Sequence, residues 1–159
     1  MKETLIGSNA IRVSRDANCD VLIVPADAKF GKISCVSLAS DLTDIDAESV
    51  SETLHHYCKI FGAKAEIIQV KNSFTVPKEE RTENRNKIVE GMGHIKTGIV
   101  QPYDENTAEA IERHVTLNKS GWLAVIHKDH GFLAGLFHKS LTKQLAFHLE
   151  IPILSIHTK

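Results

Sequence analysis

The opening of this chain is repeated at its end. Residues 7–25 (GSNAIRVSRDANCDVLIVP) run parallel, without a gap, to residues 139–157 (KSLTKQLAFHLEIPILSIH). Ser8 falls on Ser140, Val13 on Leu145, Ala17 on Leu149 and the core of VLIV on the core of ILSI, so each copy reads as a helix running into a buried strand. A helix-strand unit placed at both termini implies two related domains. Only the second copy is preceded by enough sequence to complete one. Residues 1–26 are therefore expected to be the C-terminal remnant of a first domain, 27–31 a linker, and 32–159 a complete second domain. A total of 159 residues suits one modest core with an appendage and leaves no room for two whole domains.

The interval between the two copies alternates strand and helix signals. Ile33–Ala39 (ISCVSLA) is a short, nearly continuous apolar run of small and β-branched residues, as in a strand covered on both faces. Over 46–61, Val50, Leu54, Tyr57, Cys58 and Phe61 form the stripe of an amphipathic helix, which Gly62 stops. Strands are expected at 65–70, 97–100, 122–127 and 151–156, with a loop over 71–77. The segment after Pro77 predicts a helix with an exposed, polar first half that buries Ile88, Val89 and Met92 in its last turns. Asn106 with Glu109 forms a capping box for a further helix carrying Ala108, Ile111 and Val115. Leu141, Leu145 and Leu149 share one face of the final helix. Five strands separated by helical crossovers predict an α/β fold with a doubly wound, mostly parallel sheet and helices on both faces. Ligands of such sheets gather at the carboxyl ends of the strands.

Composition excludes several classes of function. A net charge of -1, from 19 basic and 20 acidic residues, supplies no overall field for nucleic acid or an anionic membrane. No apolar run approaches the roughly 20 residues that span a bilayer, and the start MKETLIGSN lacks a signal-peptide core, so the expected location is the cytoplasm. Cys19, Cys35 and Cys58 all lie in apolar patterns without CxxC spacing and read as buried free thiols. Without an accessible thiol, a GxSxG elbow or a Walker lysine loop, the chain is expected not to be an enzyme. Glu79, Glu80 and Glu83, near Arg81 and Arg85, read as solvated helical charge pairs.

With Asp41 in SLASDLTD following the first strand of the complete domain, and Gly7-Ser8 before ANCDVLIVP in the remnant, the chain resembles the universal stress proteins. The resemblance covers nearly the whole length. It implies a Rossmann-like unit of five parallel strands, plus the remnant's strand at the sheet edge. It also implies a nucleotide cleft in which the Asp after the first strand helps to hold adenine. A glycine pattern after the fourth strand, ending in Gly-Ser or Gly-Thr, holds the phosphates.

Anchoring that pattern on Ser140 sets Ile126, Asp129 and Lys139 where its glycines would stand. Side chains there add bulk where a backbone must approach a phosphate closely, and Asp129 adds like charge. Asp41, Ser140 and Thr142 are the residues carried over, and Lys139, Lys128 and His127 are the cations and rim groups that could compensate. ATP or AMP is the ligand that this reading brings forward. Each residue has a plain structural alternative, since Ser140 also suits an N-cap and Asp41 a turn or helix cap. His127 and His130, beside Asp129, are the candidate metal ligands, at a spacing that specifies little; an exposed rim cluster is the competing reading. For the remnant, the resemblance implies that strand 20–24 lies antiparallel to 151–156 across a local twofold. The expected partner is then a second copy, as a homodimer, or the remnant itself, as an intramolecular pseudo-dimer. The functional expectation is a regulatory or binding module of the stress response acting by association, with a degenerate nucleotide cleft. The alternative is an ATP- or AMP-binding domain, weakly hydrolysing at most.

Overall fold

A computed structural model of the chain describes residues 8–29, 31–73, 75, 78–127, 145 and 149–158. Within it, an N-terminal helix and strand, α1 (Ser8–Asp16) and β1 (Val21–Ile23), precede an alternating series. That series is β2 (Cys35–Ala39), α2 (Ala47–Phe61), β3 (Lys64–Ile68), α3 (Glu79–Gly91), β4 (Thr97–Val100), α4 (Thr107–Leu117), β5 (Trp122–His127) and β6 (Ile153–His157). The strands form one six-stranded sheet in the order β1-β6-β5-β2-β3-β4. All neighbours are parallel except β1 and β6. The expected doubly wound sheet is therefore present, with the remnant's strand added at one edge.

Strand β2 shows why the sheet is covered twice. All five of its residues are buried. Val36 and Leu38 belong to the core beneath α2 and α3, whereas Ala39 belongs to the core beneath α4 on the opposite face. Such period-two partition makes a doubly covered strand read as a continuous apolar run. Helix α2 keeps its expected limits: the Asp46 side chain accepts a hydrogen bond from Ser49 N–H at 3.1 Å, and Gly62 ends the helix at φ 61°. The cap of α4 forms at Asn106, whose Oδ1 accepts from Glu109 N–H, but the box is not closed: the Glu109 carboxylate accepts from Asn106 Nδ2, and Asn106 N–H donates to Asp104.

The remnant lies where the resemblance placed it. Val21 pairs with Ser155, Leu22 with Leu154 and Ile23 with Ile153, antiparallel. The sequence repeat sets each residue against the one 132 positions later, as Gly7 against Lys139, so Leu22 faces its own repeat-equivalent Leu154. The flanking pairs exchange symmetrically about that point, as a local twofold axis requires. Three further bonds tie the unit down. Asp20 accepts from His157 N–H at 2.8 Å, Thr53 Oγ1 approaches Asp20 at 3.5 Å, and the His157 ring meets the Ser14 carbonyl at 2.7 Å.

Three expectations are corrected. Cys19 is exposed, because it falls in the turn between α1 and β1 rather than inside either element. Val13 is 59% exposed although its repeat-equivalent Leu145 is buried, so α1 meets the core through Ala10 instead. The first half of α3 is anchored: Asn84 is buried and donates to the Leu42 carbonyl at 3.0 Å, and Glu80 accepts from Asp44 N–H at 2.7 Å. Its polar residues bond to the loop after β2, a long-range pairing that helical periodicity does not encode.

The cysteines provide a direct check on this packing. Burial raises the Cys35 thiol and pushes that of Cys58 up to about 11. Only the thiolate attacks a disulfide reagent. One equivalent of thiol, that of Cys19, is expected to react with an aromatic disulfide at neutral pH, and three equivalents after denaturation. Two or more equivalents in the native protein would contradict the packing of β2 or α2.

Candidate functional site

The chain leaves β2 toward β3 and β4 on one side, then returns to β5 on the other. The sheet order therefore reverses between β2 and β5, the switch point beyond whose carboxyl ends such sheets hold their ligand crevice. Asp41 and His127 flank it. Ala39 pairs with Val125, and each of the two candidates follows its own member of that pair by two residues. The structure thus brings these sequence-predicted residues to one crevice. Lys128, His130, Lys139, Ser140 and Thr142 lie outside the described residues. The candidate metal pair His127 and His130 consequently has one described member, and no group of three or more His, Cys, Asp or Glu side chains suited to a metal occurs among the described residues.

The loop 40–44 holds Asp41 in a defined position. One carboxylate oxygen accepts from Thr43 N–H at 3.2 Å and the other from the Thr43 hydroxyl at 2.8 Å. Leu42 adopts φ 61° and Asp44 φ 48°, both in the left-handed region. For a branched hydrophobic residue this conformation costs about 1 to 2 kcal/mol. The surrounding bonds hold it there: Leu42 N–H donates to Ser40 Oγ at 3.0 Å, and the Leu42 carbonyl receives Asn84 Nδ2. The Leu42 side chain is fully buried in the core beneath α2 and α3. Burial thus offsets local strain, leaving Asp41 half-buried at the mouth of the crevice. The turn-ordering role is realised. A carboxylate engaged this way still has acceptor capacity for a ligand donor.

On the other side, the rings of His127 and His157 stack with centroids 4.5 Å apart and planes 29° from parallel. His157 belongs to β6 and also bonds the remnant, so β5, β6 and α1 are coupled at this end of the sheet. Ile126, in the position of the first glycine, is half-buried and packs against the core beneath α2 and α3.

A second opening lies at the carboxyl ends of β3 and β4, bounded by the start of α3. This cleft of about 660 Å³ is lined by Lys71, Lys78, Arg81 and Arg85, together with Gln69 and Tyr103 among others. Sequence reasoning missed it, treating these arginines as partners for neighbouring glutamates. The available signal was that three basic residues, Lys78, Arg81 and Arg85, begin a helix that follows a strand end already carrying Lys71.

Comparison with solved structures identifies the architecture as that of the universal stress proteins. A universal stress protein in complex with cAMP aligns over 81% of this chain and 100% of its own, with a TM-score of 0.61 and 16% identity. A universal stress protein from Archaeoglobus fulgidus DSM 4304 aligns over 96% of this chain and 54% of its own, with a TM-score of 0.71 and 16% identity. The universal stress protein from Archaeoglobus fulgidus in complex with dAMP aligns over 79% of this chain and 99% of its own, with a TM-score of 0.56 and 10% identity. No protein-family model and no curated protein matches the sequence. The fold that the resemblance implied is thereby established. Among the described residues, no helix is long and apolar enough to cross a membrane.

Proposed function

We propose that this chain is a universal-stress-type regulatory module that acts by association through its sheet edge, without catalysis, and that its crevice between β2 and β5 is a degenerate nucleotide site. The observation that carries the reading is the register of β1 on β6. The two strands meet at repeat-equivalent leucines, the arrangement of two like domains about a twofold, here within one chain. In this reading residues 1–26 stand in for half of a domain pair, and 32–159 form the other half. A second copy that supplies the strand in place of the remnant gives a homodimer with the same contact. The degeneracy rests on Ile126, whose bulk occupies a glycine position, and on the Asp41 carboxylate being engaged by Thr43.

The second reading, a domain that binds ATP or AMP, is favoured by the solved neighbours that carry cAMP and dAMP. In it, Asp41 with Lys139 and Ser140 contacts the nucleotide, Lys128 and Thr142 adding to the phosphate side. Titration calorimetry of metal-free protein with ATP and Mg²⁺, and then with AMP, separates the two. No heat and no thermal stabilisation are expected. Micromolar binding that is abolished by the double variant Lys139→Ala, Ser140→Ala would reject the degenerate site. Such binding would raise stability by about 2.7 kcal/mol at a hundredfold excess over the dissociation constant.

A further inference from the structure

We propose that the cleft at the carboxyl ends of β3 and β4 binds a small phosphorylated anion carrying two or more negative charges. The whole chain has a net charge of -1, yet this cleft is lined by four cations, Lys71, Lys78, Arg81 and Arg85, and by one carboxylate, that of Glu79. Two further carboxylates, which do not line the cleft, are held in place by neutral donors and keep their charge. Glu80 accepts from Asp44 N–H, and Glu105 accepts from Ser73 N–H, the Ser73 hydroxyl and the Tyr103 hydroxyl at 2.9 Å. Like charges gathered in one concave site raise the local positive potential and attract an anion. Arginine favours phosphate through its planar fork of donors, and lysine adds point charges.

The polar floor points to the same ligand. Gln101 Nε2 donates to Gln69 Oε1 at 2.6 Å across the ends of the two strands. Gln69 is 6% exposed and lines the cleft, and its own Nε2 makes no hydrogen bond among the described residues. An amide donor facing solvent at the base of a cationic cleft suits an oxyanion. The Lys78 side chain makes no capping bond at the start of α3, so the positive end of the helix dipole adds to the wall. Tyr103 gives the mouth a flat surface: the residue is 67% exposed, while the bond to Glu105 fixes its position and keeps the hydroxyl proton on. A cavity of about 660 Å³ holds more than one phosphate group. Free diphosphate and an aromatic phosphate ester share this chemistry.

The site is separate from the crevice between β2 and β5, and its test is independent of ATP binding there. Calorimetric titration of the full chain with inorganic diphosphate is expected to give saturable binding that weakens as salt rises. Lys78→Gln with Arg85→Gln should weaken it at least tenfold with the thermal midpoint retained, whereas Lys87→Gln, on the same helix but outside the cleft, should leave it unchanged. Diphosphate binding untouched by Tyr103→Leu would assign a free inorganic ligand. Phenyl phosphate binding more tightly than inorganic phosphate, with the difference lost in Tyr103→Leu and kept in Tyr103→Phe, would assign an aromatic ester. No binding at millimolar concentration overturns the proposal. So does equal weakening by Lys87→Gln, which would mean diffuse attraction rather than a site.

Discussion

Replacing Ile23 by Asp is expected to release the remnant from the sheet while leaving the remaining domain folded. Ile23 is 3% exposed and lies in the core cluster with Leu145, Leu149 and Ile153. Truncating such a side chain costs about 2 to 5 kcal/mol, and a carboxylate placed there adds the cost of an unpaired buried charge. Strand β1 is only three residues long and cannot offset that loss with ladder hydrogen bonds. Protease cleavage between residues 8 and 24 should therefore appear under native conditions, together with rapid amide exchange at Val21 and Ile23. The main unfolding transition should persist. Loss of the entire transition would show that 32–159 is not an independent unit and would reject the domain boundary at 27–31. Release also leaves the β6 edge open, which templates pairing with another chain. Sedimentation velocity should then show a larger dimer fraction than in the parent protein. An unchanged monomer would count against association through this edge.

What was legible in the sequence follows from what is local. The stripe of α2, its Asp46 and Gly62 ends, and the N-cap at Asn106 all depend on residues within a few positions of each other, and all were read correctly. The apolar run of β2 declared its double burial because each face requires its own hydrophobic set. The pairing of β1 with β6 is non-local, and it was the resemblance to the universal stress proteins that implied it. Non-local polar bonds carried no comparable signal. Glu66 sits mid-strand in β3 and meets His114 Nε2 from α4 at 2.7 Å, and Asn84 reaches back to the Leu42 carbonyl. Neither spacing nor composition links such positions. For the same reason the basic cleft was missed, since Lys71 and Arg85 become neighbours only through the crossover between β3 and α3. In the crevice, Asp41 came from the resemblance, whereas the left-handed turn that fixes it had no signal. A leucine gives no local hint of positive φ.

That turn makes the stability of Leu42 variants an informative series. Leu42→Ala removes a fully buried side chain from the core beneath α2 and α3 and should cost about 3 to 5 kcal/mol, read as a lower denaturation midpoint at an unchanged slope. At ordinary positions, changing Ala to Gly costs a further 0.5 to 1 kcal/mol, roughly, through the flexibility of the unfolded chain. Here the backbone sits at φ 61°, where alanine retains the strain and glycine does not. The order should therefore equalise or invert, with Leu42→Gly at least as stable as Leu42→Ala. A glycine variant less stable by about 1 kcal/mol would mean that the left-handed turn is absent in solution. The Thr43 bonds would then lose the geometry that orients Asp41. The series tests the crevice through the backbone that shapes it, independently of any ligand. If the inversion is seen, Asn84→Ala in the Leu42→Gly background should cost less than in the parent protein. The side-chain amide of Asn84 then no longer has a strained carbonyl to hold in place.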